Sequence, residues 1–229
     1  MTLKRLIKKF LNVFYRPLVV RYLKHDRRYH FQGLDIVVKA GVFHPGLFFS
    51  TKLLIRHLSD MDLTTKRFLE LGAGTGLISM IAARKNAVVT ASDISRLAIN
   101  NINENAKLNR LPIRPKLSNL FDDFAGEQFD VIVVAPPYYP GNPVTERDYA
   151  WYCGEDFEYF HDLFAQLDQH VAVGGIVRMI LSEDCDIVRI REIARLNNIE
   201  LQVVVDTRVL WEKNYIFDVR PIESQWRKL

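Results

Sequence analysis

Residues 68–77 read Phe68-Leu69-Glu70-Leu71-Gly72-Ala73-Gly74-Thr75-Gly76-Leu77. A run of strand character meets three glycines at alternate positions, and an apolar-periodic helix pattern opens at Leu77. Glycine tolerates the left-handed backbone of a tight strand-to-helix turn and lets the main chain approach a ligand closely. The dinucleotide fingerprint wants a glycine where this chain has Leu77, and no Lys-Ser/Thr pair follows as in a phosphate-binding loop. The short Gly-x-Gly-x-Gly form behind Glu70 points instead to a small nucleoside lying across the turn.

Working outward, strand patterns fall at 34–38, 67–71, 87–91, 113–117, 129–134, 176–181, 201–205 and 215–219, with Pro112 and Pro115 weakening the one at 113–117. Helix patterns fall at 49–58, 77–85, 95–109, 157–170 and 187–197. Such alternation predicts a doubly wound, mainly parallel α/β sheet, with ligands beyond the carboxyl ends of its strands. The strand-to-loop junctions therefore carry the information. Asp93 ends the strand after the glycine turn, where a carboxylate can accept from both ribose hydroxyls; an N-cap of the helix from Ser95 is the plain alternative. Asn119, in Ser118-Asn119-Leu120-Phe121, can accept from an exocyclic amino group, or can simply form an Asn turn. In Val131 to Tyr139, four buried-type residues and Ala135 precede Pro136-Pro137-Tyr138. The prolines stiffen the strand end, and Tyr138 offers a flat face for stacking; a proline-rich turn under a packed tyrosine is the alternative.

The chain has 229 residues, 48% hydrophobic and 25% charged, which suits one globular domain. Two isolated cysteines, Cys153 and Cys185, match no metal-ligand spacing and predict a reducing, cytoplasmic setting. No apolar run approaches the ~20 residues of a membrane span. The net charge of +4 is unevenly placed: residues 1–30 hold nine Lys/Arg against one acid, while the rest carries 22 basic and 26 acidic residues. Leu3, Leu6, Ile7, Phe10, Leu11 and Phe14 fall at helical spacing among lysines, and Pro17 ends the run. These features predict a basic amphipathic helical extension over residues 1–33 and a main domain over 34–229. Residues 1–30 suit an acidic macromolecule, RNA or protein, ahead of an anionic membrane surface. A helix packed on its own domain with a solvated basic face explains the pattern equally.

In order and spacing, Glu70 to Gly76, Asp93, Ser118 to Phe121 and Pro136-Pro137-Tyr138 resemble the motifs of class I S-adenosylmethionine-dependent methyltransferases. The resemblance is strongest to their small-domain group, which includes HemK-type protein-glutamine and ribosomal-RNA guanine-N2 methyltransferases. Gly41-Val42-Phe43-His44-Pro45 is similar to that group's leading segment, and the resemblance runs from residue 35 to 220. It implies a Rossmann-like, mostly parallel seven-stranded sheet with an antiparallel last strand, S-adenosylmethionine as methyl donor and S-adenosylhomocysteine as product. By the same resemblance Glu70, Gly72, Ala73, Gly74 and Gly76 hold the methionine part, Asp93 and Ile94 the ribose, and Asn119 and Leu120 the adenine. Ala135, which also borders the donor, and Pro136, Pro137 and Tyr138 form the catalytic acceptor motif. Phe43, His44, Pro45, Tyr139 and Trp151 border the substrate, and no metal is implied.

One departure stands out. The group's motif begins with Asn, Asp or Ser, and this chain has Ala135. Losing a buried hydrogen-bond partner costs on the order of 1–3 kcal/mol. Three readings stay open: another residue replaces the acceptor and a nitrogen in RNA or protein is methylated; the acceptor differs, a small molecule included; or catalysis is lost and the fold binds RNA or protein.

Overall fold

The computed structural model describes residues 24–209 and 212–222. Its first elements are β1 (Arg27–Phe31) and β2 (Leu34–Val38), an antiparallel hairpin closed by Gln32 and Gly33. Both turn residues have positive φ, 47° and 77°, the twist that two-residue hairpin turns favour. This corrects the helical extension expected over residues 1–33, because its last part is a strand. Tyr29 and Phe31 turn inward while Arg28 and His30 are exposed, a period of two that the count of arginines obscured. The helix expected from Leu3 to Phe14 lies outside the described residues.

There follow α1 (Phe49–Ser59), β3 (Arg67–Leu71), α2 (Leu77–Arg84), β4 (Val88–Asp93), α3 (Arg96–Leu108), β5 (Ile113–Leu117) and β6 (Phe129–Val134). After them come α4 (Glu158–His170), β7 (Val171–Ser182), α5 (Ile187–Leu196), β8 (Ile199–Val209) and β9 (Glu212–Pro221). Seven strands form one sheet in the order β5-β4-β3-β6-β7-β9-β8. The last strand, β9, runs antiparallel to both neighbours, and the other pairs are parallel. This is the Rossmann-like sheet the sequence predicts.

Burial on both faces explains the near-continuous apolar runs of β3 and β6. Phe68, Val131 and Val133 join the core under α1 and α2. Leu69, Leu71, Ile132 and Val134 join the opposite core, shared with α4 and α5. The chain winds outward from β3 to β5 and then returns to β6 on the other side of β3. The carboxyl ends of β3 and β6 therefore flank the switch point, where such sheets open a crevice.

The hairpin is fixed to this framework by side chains. Asn101, Asn105 and Asn109 recur at one-turn spacing along α3. Their carbonyl oxygens accept from Lys39 N (3.1 Å), Val37 N (2.8 Å) and Asp35 N (2.9 Å). Their amides donate back to Val37 O (2.8 and 2.9 Å) and Asp35 O (2.8 Å). The helix face thus stands in for a neighbouring strand along β2. Asn105 also donates to Thr75 O at 3.0 Å, tying the hairpin to the glycine turn.

Candidate active site

A cavity of about 560 Å³ opens at the switch point, within the range of small-molecule sites. The glycine turn forms its floor. Gly74 has φ 55°, and its N–H donates to Asp93 Oδ2 at 2.9 Å. Side chains avoid that backbone conformation. Gly76, with φ 77°, begins α2, and a Cβ there would press on Ile102 at 3.3 Å. Gly72, Ala73 and Gly74 line the cavity; Gly76 does not, and serves helix packing instead.

Two carboxylates lie beneath the turn. Asp93 receives Gly74 N on one oxygen and Ser95 N (2.9 Å) on the other. Ser95 itself caps α3, accepting from Ala98 N, so Asp93 is not that helix's N-cap. Burial raises the Asp93 pKa against the pull of these donors. Glu70 Oε2 accepts from Ser79 N (2.7 Å) and Ser79 Oγ (2.6 Å), satisfying the first turn of α2 from below. Complete burial pushes its pKa up to about 7.

Ile94, Asn119 and Leu120 line the next wall. Leu120 has φ 46°, a strained conformation for leucine. Ser118 Oγ sustains it, donating to Leu120 O (3.0 Å) and accepting from Asp123 N (3.2 Å). Asn119 Nδ2 donates to Asp122 Oδ2 at 3.3 Å, which leaves its carbonyl oxygen as the acceptor.

Opposite stands the proline loop. Ala135 is exposed to the cavity directly after four buried residues, and Pro136, Pro137, Tyr138 and Tyr139 continue the lining. The loop is clamped by backbone bonds: Tyr139 N to Trp151 O, Cys153 N to Tyr139 O, and a reciprocal pair between Gly141 and Gly154. The clamp brings Trp151 against Phe43 (ring centroids 5.7 Å) and Phe48 (5.4 Å), which stack on each other at 4.3 Å. Pro45 also lines the cavity.

His44 does not. It is buried, its Nδ1 accepts from Gly46 N at 3.1 Å, and its ring packs edge-on against Tyr29. That corrects its place among the substrate residues; its direction follows the turn at Gly46, which residue type does not reveal. The stretch from Trp211 to Tyr215, which the sequence suggests as a last hairpin bordering the acceptor cleft, contributes Glu212 and Asn214 to the lining. Sequence reasoning missed Phe48, Glu158 and Ser182, which also line the cavity. Phe48 could have been noticed beside Phe43, but no local pattern marks the other two.

The family model described as methyltransferase small domain matches residues 33–195. The chain belongs to that family. It is an S-adenosylmethionine-dependent methyltransferase. Among relatives of this methyltransferase is a provisionally named protein N5-glutamine methyltransferase of Methanocaldococcus jannaschii, 34% identical over 157 residues, or 66% of this chain and 77% of that protein. A ribosomal RNA small subunit methyltransferase C of Haemophilus influenzae is 31% identical over 153 residues, covering 65% of this chain and 42% of that enzyme. The chain thus spans less than half of the Haemophilus enzyme. A 16S rRNA N2 methyltransferase of T. thermophilus, solved with S-adenosylmethionine and guanosine, shares the fold (TM-score 0.62, 18% identity, 85% of this chain and 50% of that one).

The residues fit the donor. A partly buried carboxylate aimed at the glycine turn, an open floor at Gly72 where a Cβ would meet nothing within 4 Å, and a carbonyl on Asn119 left to accept are what a nucleoside needs. S-adenosylmethionine supplies an electrophilic methyl group when bound.

Proposed function

We propose that this methyltransferase modifies the side-chain amide nitrogen of a glutamine in a protein, with Asp93 and Ile94 holding the donor's ribose, Asn119 and Leu120 its adenine, and Gly72 to Gly74 its methionine part. The observation that carries the acceptor class is the charge of the cavity wall. Glu146, Glu158, Asp162 and Glu212 line it, and Arg147 is the one cation among the described lining residues. The Ser95 hydroxyl and the first amides of α3 hold the Glu146 carboxyl below its usual range, so it stays charged at neutral pH. Such a wall repels a phosphate backbone and tolerates a peptide. The name of the Methanocaldococcus relative agrees with this reading.

The chain's own contribution is placement. Pro136-Pro137 holds the end of β6 stiff, Tyr138 and Tyr139 offer flat faces to a planar amide, and Phe43, Phe48 and Trp151 screen the site from water. Fixing reactants in line supplies several kcal/mol of barrier reduction. Two features favour a second reading, a base nitrogen in ribosomal RNA: the nine cations of residues 1–30 and the Haemophilus relative. A small-molecule acceptor is the third. Incubating the enzyme and labelled donor with a cell extract, then separating protein, RNA and small molecules, tests them. The expected result is label in protein, recovered after digestion as methylated glutamine. Label confined to RNA or to small molecules overturns the proposal.

A further inference from the structure

Asn214 is 3% exposed. It lies on β9 directly across from Ser182 of β7, and residues paired in this way share a sheet face. Ser182 also hydrogen-bonds the Tyr138 phenol. This chain of contacts puts Asn214 at the proline-loop end of the cavity, which both it and Ser182 line. A carboxamide has two donor hydrogens and a carbonyl oxygen able to accept twice. Asn214 uses one: an N–H reaching Glu212 O at a long 3.4 Å. That contact turns Oδ1 away from the Glu212 carbonyl, and among the described residues no protein donor meets it.

Buried polar side chains are almost always hydrogen-bonded. Asn214 lines the cavity, so an occupant can supply the donor to Oδ1. Ala135, exposed to the same space, offers no side-chain acceptor. We propose that Asn214 grips the acceptor's carboxamide, its Oδ1 accepting from the NH₂ to be methylated and its remaining N–H donating to the acceptor carbonyl. It thereby supplies, from two strands away in the sheet, the polar contact missing at Ala135. The inference rests on the reading of the acceptor as a protein glutamine.

The test uses the full chain, labelled S-adenosylmethionine and the protein fraction of the cell extract, with methylated glutamine as readout. Asn214→Leu keeps the branched shape, with somewhat more bulk, and removes the polar edge; the labelling rate should fall on the order of 10- to 100-fold. Its melting temperature should hold or rise by roughly 2–4 °C, since a buried amide with few partners is lost. Asn214→Asp keeps an accepting oxygen and should retain more activity than Asn214→Leu. Affinity for S-adenosylhomocysteine should be unchanged in both. Labelling by Asn214→Leu at the parent rate overturns the inference alone. So does a parallel fall in labelling, nucleoside affinity and melting temperature, which marks a merely structural residue. A parent enzyme that labels no glutamine overturns this inference together with the reading beneath it.

Discussion

On the proposed placement of the donor, Asp93 is the residue that holds its ribose. Its carboxylate already accepts from the Gly74, Ser95 and Ile94 amides, which leaves room to accept from a hydroxyl. Asp93→Ala should weaken S-adenosylhomocysteine binding on the order of 100-fold by calorimetry, because a charged acceptor is lost while a turn amide is freed. Glu70 makes a pH-dependent contribution. Its folded pKa of about 7 lies above the ordinary 4.5, so the folded state holds its proton to higher pH than the unfolded chain does. Its stabilising share is complete below 4.5 and is lost as pH rises to about 7. Glu70→Gln stays neutral throughout. Urea melts across that window should show the variant gaining on the parent by on the order of 3 kcal/mol, then levelling off. Asp93, raised in the same direction, repels the Glu70 carboxylate, so the measured difference belongs to the pair.

At the scale of elements, the least expected feature is the helix that hydrogen-bonds a strand. Asn105 is fully buried and serves Val37 N, Val37 O and Thr75 O at once. Asn105→Ala would strand Val37 N and the buried Thr75 O, while Val37 O keeps its bond from Asn101, costing on the order of 2–4 kcal/mol in a denaturant melt. Asn109 makes the same pattern with Asp35 at a half-exposed position, so water can substitute and Asn109→Ala should cost less than about 1 kcal/mol. Equal costs for the two would contradict the burial argument. The hairpin leads into the aromatic wall, and Asn105 joins it to the glycine turn, so docking of one element shapes both sides of the cavity.

Across the whole molecule, charge is segregated. The mouth is acidic, whereas residues 1–23 carry six Lys/Arg and no acid. We propose that any RNA contact runs through that segment. Deleting residues 1–23 leaves β1 intact, unlike a cut at residue 30. RNA affinity of the parent should then fall steeply with salt, and the deletion should flatten that slope in filter-binding titrations. A slope untouched by the deletion would assign the cations to contacts within the chain. No helix among the described residues is long and apolar enough to cross a membrane.

Local chemistry made much of this protein readable in one dimension. Strand and helix periods, the three alternate glycines and the acid ending β4 are set by neighbours a few residues away, and β3, β6, α1 and α5 fall within a residue or so of their patterns. The same locality failed at Arg27–Phe31, where a high count of arginines masked alternation. What tertiary structure alone decided is who meets whom across the sheet: His44 turned toward Tyr29, Gly76 pressed to Ile102, and Asn214 brought beside Ser182 and the proline loop. Side-chain direction depends on strand register and on the packing of distant segments, and no periodicity within a segment encodes the register of its partner.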